Sequence, residues 1–284
     1  MIKALINALL GKAPPAADAP RRRMYAEKSP AALYAIGDVH GHLNLLKDLE
    51  RQIIADAKSI TGEKWLVMLG DYIDRGPQSA AVLDHLQQPM TTGWRRICIC
   101  GNHEHAMSAA MKSRKAYLQW LQFGGIETLM SYGIDHAQIQ SAGQDNSAHA
   151  RLVEAYIPLE HIRFVEQLPI LLELPGYVFV HAGLRPNVPL VSQLDDDLLW
   201  LREARSDYDF GALVVHGHTP VAEPILGPFV INIDTGAYAT GVLTGIYLGE
   251  ELRLLQSKSV SAPLLRQNTM REAPSPYKKD TSNG

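Results

Sequence analysis

The sequence predicts an α/β fold: a mostly parallel sheet flanked by helices, joined to a second sheet that contains antiparallel hairpins. Three observations predict it. Between Ala31 and Met111, apolar runs of strand length alternate with helical periodicity, the pattern that builds a parallel sheet with helices packed on it. After Pro169 the texture changes to short strands separated by turn residues. The chain of 284 residues is 46% hydrophobic and 20% charged, with no linker between Leu33 and Leu255, so one large core is expected.

In chain order, Ile2, Leu5, Ile6, Leu9 and Leu10 repeat at helical spacing and predict a short amphipathic helix. It is too short to span a bilayer and lacks a leader's small-residue cleavage site, so it reads as a short helix, docked or frayed, with peripheral contact with a membrane or partner as the alternative. Residues 13–23, rich in Ala and Pro and ending in Arg21-Arg22-Arg23, read as a tether, so 1–30 stand outside the folded unit of 31–256. Ala31–Ile36 is the first strand and runs into Gly37-Asp38-Val39-His40-Gly41; Leu43, Leu45, Leu46, Leu49, Ile53 and Ile54 then mark a helix. Trp65–Leu69 is the second strand. It ends at Gly70, presents Asp71, Asp74 and Arg75 before the turn at Gly76-Pro77, and is followed by a helix through Ala80–Leu86. Arg95–Cys100 is the third, ending in Gly101-Asn102-His103-Glu104, where a helix starts and runs through Met111. From Ser113 to Gln167 the pattern is helical, broken at Phe123-Gly124-Gly125 and Tyr132-Gly133; a helical insertion is expected over about 106–167. His136, His149 and His161 lie in it without partners at ligand spacing and are given no ligand role. Strands at Tyr177–Val180, Leu213–Val215, Phe229–Ile233, Val242–Leu248 and Leu252–Gln256 follow, and Asp195–Arg202 opens as a helix with acidic residues in its first turn. The final stretch, 257–284, loses periodicity and reads as a solvated tail.

A net charge of −3 and a pI of about 6.4 argue against a nucleic-acid footprint, which is basic. Cys98 and Cys100 share one face of a strand and read as reduced core thiols of a cytoplasmic protein. The polar residues at strand ends are Asp38, His40, Asp71, Asn102, His181 and His218, with His216 not separable from His218 by spacing. Carboxylate, amide and imidazole donors suit borderline divalent ions such as Mn, Fe or Zn. Six ligands are too many for one catalytic metal and suit two that share a carboxylate, roughly 3.5–4 Å apart, as a clamp for displacement at phosphorus. Arg75 offers a fork for phosphate oxygens, and His103 can protonate a leaving alkoxide.

The motifs GDVHG, GDYIDRG and GNHE, followed by HAG and GHT, resemble the PPP family of dinuclear metallophosphoesterases, the serine/threonine protein phosphatases. GGIETLMSYG, VHAGLRP, LLWLR, VVHGHTP and INIDTGA are similar to its bacterial and bacteriophage-lambda-like branch, and the motifs together run from Tyr34 to Leu248. The resemblance implies a calcineurin-like metallophosphoesterase fold, a central β-sandwich of mixed sheets flanked by helices in four α/β/β/α layers. It implies Asp38 and His40 on a first metal, Asp71 between the two, and Asn102, His181 and His218 on the second. His103 would be the general acid, oriented by Asp74. Arg75 would grip the phosphoryl oxygens and Arg202, a looser match, would be a second clamp. Pro220 stands where wider metallophosphoesterases carry a further histidine, in keeping with a three-ligand first site.

The activity so implied is a phosphomonoesterase using a hydroxide between two divalent ions, manganese first and iron or zinc next, on phosphoserine, phosphothreonine or phosphotyrosine of a protein or peptide. A dinucleoside polyphosphate hydrolase of the same fold is the alternative. It ranks second because that branch usually lacks the acidic residue before Arg and often replaces the Glu of GNHE, whereas this chain has Asp74 and Glu104. A silent binding module is set aside because every metal and acid position carries a competent residue. His42 and His105 receive no ligand role, Glu104 a structural one, and Tyr238 either substrate contact or packing.

Overall fold

Alternation within each central strand decides which layer its side chains join. In a computed structural model describing residues 20–259 apart from 146 and 203–206, β2 (Ala32–Ile36), β3 (Lys64–Met68) and β4 (Trp94–Cys98) run parallel, Ile36 opposite Met68 and Met68 opposite Cys98. Leu33, Ala35, Trp65, Val67 and Ile97, with Ile246 of the same sheet, face inward onto Phe179, Val215 and Ile231 and form the layer between two sheets. Tyr34, Ile36, Leu66 and Met68 point the other way and pack with Leu46, Leu49, Val82 and Leu83 of α1 (Leu43–Asp56) and α2 (Ser79–Gln87).

The first sheet has the order β11-β10-β2-β3-β4, with β10 (Val242–Tyr247) antiparallel to β2 and to β11 (Arg253–Lys258). The second has the order β1-β5-β6-β7-β9-β8, from β1 (Arg23–Tyr25), β5 (Leu171–Leu174), β6 (Tyr177–Val180), β7 (Leu213–His216), β8 (Ile225–Leu226) and β9 (Val230–Asn232). Here β6, β7 and β9 are parallel, Phe179 opposite Val215 and Val215 opposite Ile231. Two in-register parallel blocks therefore end at one level, and the turns after six strands open onto one edge of the sandwich. That register positions the site.

The helical insertion comprises α3 (Asn102–Lys112), α4 (Arg114–Trp120), a π-helical turn over Leu121–Gly125, α5 (Ile126–Ser131), α6 (His136–Ala142), α7 (Ala148–Tyr156) and α8 (Leu159–Gln167). The predicted break at Phe123-Gly124-Gly125 is this turn, with Gly124 at φ 111°. A short helix, α9 (Asp195–Trp200), follows the β6 turn, and α10 (Ala237–Thr240) follows β9.

Two boundaries are corrected. The tether reading stopped too late: β1 pairs parallel with β5, Arg21 Nη1 donates to Val165 O at 3.0 Å, and Arg21 N donates to Asp195 Oδ2 at 2.8 Å. A three-residue strand leaves no periodicity to read, and β5 and the two-residue β8 escaped for the same reason. The tail begins later, because β11 runs to Lys258. The buried ring of His161 joins Tyr132 Oη (2.7 Å) to Asp84 Oδ1 (3.0 Å), both distant in sequence. Cys98 and Cys100 are free thiols. The N-terminal helix and most of the tail lie outside the described residues. No helix among those described is long and apolar enough to cross a membrane.

Candidate dinuclear metal centre

The turns at the sandwich edge are conformationally costly. Among the described residues six non-glycines have positive φ, and five of them are His40 (44°), Asp71 (52°), Asp74 (71°), Arg75 (66°) and His218 (68°). Left-handed backbone at such residues costs about 1–3 kcal/mol each and persists where the surroundings impose it, which is typical of functional sites. The flanking glycines permit close approach. A Cβ at Gly101 would lie 2.2 Å from Asp71 Oδ1, and one at Gly217 2.2 Å from Asp38 Oδ1.

The donor geometry around Asp71 asks for a cation. His40 Nδ1 donates to the Ile73 carbonyl at 2.9 Å and His181 Nδ1 to the Leu69 carbonyl at 2.8 Å. A carbonyl only accepts, so each ring carries its hydrogen on Nδ1 and turns Nε2 inward, the arrangement that orients metal-binding imidazoles. Those Nε2 atoms face oxygens: His40 lies 3.6 Å from Asp71 Oδ2, and His181 lies 3.3 Å from Asp71 Oδ1 and 2.8 Å from Asn102 Oδ1. A lone pair facing an acceptor is unfavourable unless a proton or a metal ion sits between them. For His40 burial, with the charges of His103 and Arg75, pushes the pKa well below its usual value and keeps the ring neutral. For His181 burial opposes the charged form, but Asp71 raises the pKa, so a proton can fill the place that a cation would take. His218 Nδ1 lies 2.9 Å from the same Asn102 oxygen, and its buried Nε2 has no hydrogen-bond partner. The clusters His40–Asp71–His103 and Asp71–His181–His218 each bring ligand atoms within 4.8 Å of one another and share Asp71. The residues present thus fit two divalent ions with Asp71 between them.

Asp38 is buried beside these clusters and belongs to neither. Its carboxylate accepts the His218 backbone N–H at 3.1 Å, and burial together with the charges of Asp234 and Asp71 pushes its pKa well above the usual range. His216, which spacing alone could not separate from His218, bonds the carbonyl of Gly217 through Nδ1 and stays outside both clusters; burial lowers its pKa to about 4. His42 bonds the carbonyl of His40 at 2.6 Å and so supports that strained residue.

His103 packs edge-on against His40 at 4.7 Å. Its Nδ1 meets Asp74 Oδ2 at 2.7 Å, and its buried Nε2, 3.7 Å from Asp71 Oδ2, has no hydrogen-bond partner. The Arg75 guanidinium lies 4.2 Å over the ring of Tyr238, and that ring packs edge-on against His40. Arg202 is exposed just past the end of α9, near enough for its charge to act on His218. Glu104 holds the second turn together, accepting the backbone N–H groups of Asp71 (2.9 Å), Tyr72 (2.8 Å) and Gly101 (2.9 Å).

Sequence reading missed Asp234, Trp120 and Thr128. Asp234 is buried beside Asp38 and accepts from Gly236 N at 2.8 Å; burial raises its pKa to about 6. Its signal was present in INIDTGA, another carboxylate after an apolar run and before a glycine. Trp120 and Thr128, which reach Asp74 from the insertion, gave no local signal.

The family model described as calcineurin-like phosphoesterase matches residues 32–241. A bis(5'-nucleosyl)-tetraphosphatase of the asymmetrical type from Bacillus cereus is 25% identical over 80% of this chain and 92% of its own length. The crystal structure of a candidate diadenosine tetraphosphatase superposes with a TM-score of 0.59 at 18% identity, covering 84% of this chain and 98% of that one. A cold-active protein-tyrosine phosphatase of a psychrophilic Shewanella species gives 0.53 at 17% identity, covering 82% and 78%. Both structural likenesses are likenesses of fold.

Proposed function

Because the chain belongs to the calcineurin-like phosphoesterase family, we propose that it is a two-metal hydrolase whose substrate is a dinucleoside polyphosphate. The observation that carries the two-metal part is Asp71, whose two oxygens face the inward Nε2 atoms of His40 and His181 on opposite sides. Asp38 and His40 would hold one ion, and Asn102, His181 and His218 the other. When bound, the pair would supply Lewis-acid charge to the phosphoryl group and a nucleophile from water at neutral pH. Arg75 grips non-bridging oxygens through its fork, with Arg202 as a second positive group at the rim. His103 Nε2 protonates the departing oxygen, and Asp74 fixes the ring.

The substrate assignment is supported by the tetraphosphatase relative and reverses the order in which sequence alone ranked the two candidates. One observation favours a second reading, phosphomonoester hydrolysis on phosphoproteins: the His103–Asp74 pair. A departing alkoxide needs a proton donor far more than a departing nucleotide phosphate does. Metal-reconstituted protein should cleave diadenosine tetraphosphate into unequal nucleotides faster than it releases phosphate from phosphoseryl or phosphotyrosyl peptides. The opposite preference would make the second reading the function.

A further inference from the structure

The carboxylate that orients His103 is itself held by the insertion. Asp74 is fully buried. Its Oδ2 accepts from His103 Nδ1 at 2.7 Å and from the Trp120 indole N–H at 2.9 Å, while its Oδ1 accepts from Thr128 Oγ1 at 2.5 Å. The backbone N–H of Asp74 donates back to Thr128 Oγ1 at 2.8 Å. Trp120 and Thr128 flank the π-helical turn, whose Phe123 ring packs edge-on against His103 at 5.6 Å and whose Gly124 carbonyl receives the Arg75 N–H at 3.3 Å. A Cβ at Gly124 would lie 2.7 Å from that nitrogen. The turn therefore fits against a strained loop that it also hydrogen-bonds.

We propose that Trp120 and Thr128 are positioning residues for the general acid, so that the helical insertion sets how poor a leaving group the enzyme can expel. Two donors from a separate part of the chain fix both oxygens of Asp74. Asp74 in turn keeps the proton on His103 Nδ1 and turns Nε2 toward the metal cluster. In the bond-breaking step, protonated Nε2 gives its proton to the leaving oxygen as that oxygen takes the electron pair of its P–O bond. Water supplies the oxygen that phosphorus gains, and the ring remains neutral with Nδ1–H on Asp74. Freed from Trp120 or Thr128, the carboxylate can rotate and the ring with it, and the loss falls on leaving groups that need the proton.

This inference rests on the phosphoesterase reading, and the test separates the two. Trp120→Phe removes the indole N–H, Thr128→Val removes the hydroxyl at nearly constant shape, and Thr128→Ser retains it. Each metal-loaded full-length variant is assayed on phenyl phosphate, whose leaving phenol has a pKa of about 10, and on p-nitrophenyl phosphate, whose leaving group departs without help. Trp120→Phe and Thr128→Val should lose on the order of 10²-fold in kcat on the phenyl ester but only a few-fold on the nitrophenyl ester, with Thr128→Ser close to wild type on both. Equal losses on the two esters, or no loss on either, overturn the proposal. A second readout needs no turnover: the His103 Nδ1–H proton resonance, assigned by its absence in His103→Asn, should exchange faster with water in both disabled variants. Unchanged exchange overturns the proposal as well. If wild type cleaves neither these esters nor diadenosine tetraphosphate, the phosphoesterase reading fails; if it cleaves only the dinucleotide, that reading stands and the resonance alone decides.

Discussion

Replacing Gly101 by Ala isolates the close approach that the site requires. Gly101 has φ −93° and ψ 174°, which alanine adopts without strain, so only contact is perturbed. The new Cβ would stand 2.2 Å from Asp71 Oδ1 and 2.4 Å from Asp71 N, where ordinary contact begins at 3.4 Å. Asp71 or the turn must therefore retreat by about 1.2 Å. Neither is loose, because Glu104 ties Asp71 N and Gly101 N to one oxygen at 2.9 Å each. Overpacking of this kind costs about 1–3 kcal/mol of stability, and displacing a catalytic group by about 1 Å costs on the order of 10²-fold in rate. Gly93→Ala is the control: nothing lies within 4 Å, but φ is +84°, so only the left-handed backbone costs, about 1–2 kcal/mol. Urea unfolding should show comparable losses for the two variants. Titration with manganese and kcat/KM on diadenosine tetraphosphate should be impaired in Gly101→Ala alone. Equal activity in both variants would refute the contact argument.

Three further outcomes follow from the same geometry. Arg75→Lys keeps the charge and loses the fork stacked 4.2 Å over Tyr238; kcat/KM should fall about 10–10²-fold with an unchanged melting temperature, the worth of one charge-assisted bond of about 1.5–3 kcal/mol. Burial works against the charge of Glu50, but the hydrogen bond from His85 (2.6 Å) and the charge of Arg96 (2.7 Å) hold its carboxyl below the usual range. Its contribution is therefore full above about pH 5 and lost as pH falls through the lowered folded value. Glu50→Gln should cost about 3 kcal/mol at neutral pH, and the gap to wild type should close in acid, measured by urea unfolding across pH. Asp71→Asn should lower manganese affinity and turnover together while leaving the fold intact by circular dichroism, since the carboxylate lies among inward-turned imidazoles.

How far the sequence carries depends on whether a residue's environment is local. The parallel register of β2, β3 and β4 puts Asp38, Asp71 and Asn102 at one edge because each follows its own apolar strand by a glycine-bounded turn. That much is visible in one dimension. The second sheet adds His181 and His218 by the same rule, and the shared sandwich edge unites them. What stays hidden is anything fixed by packing between distant segments. His216 and His218 differ only in where a turn at φ 68° aims the second ring. Trp120 and Thr128 meet Asp74 across 46 and 54 residues, and β1 finds β5 only in the folded sheet. His161 likewise gains Asp84 from another helix, 77 residues away.

The shared position of Asp71 between two inward-facing imidazoles is most directly tested by anomalous diffraction from crystals of manganese-loaded protein. Two peaks about 3.5–4 Å apart on either side of Asp71, one toward Asp38 and His40 and the other toward Asn102, His181 and His218, are expected. A single peak, or a pair that does not share Asp71, would contradict the two-metal account.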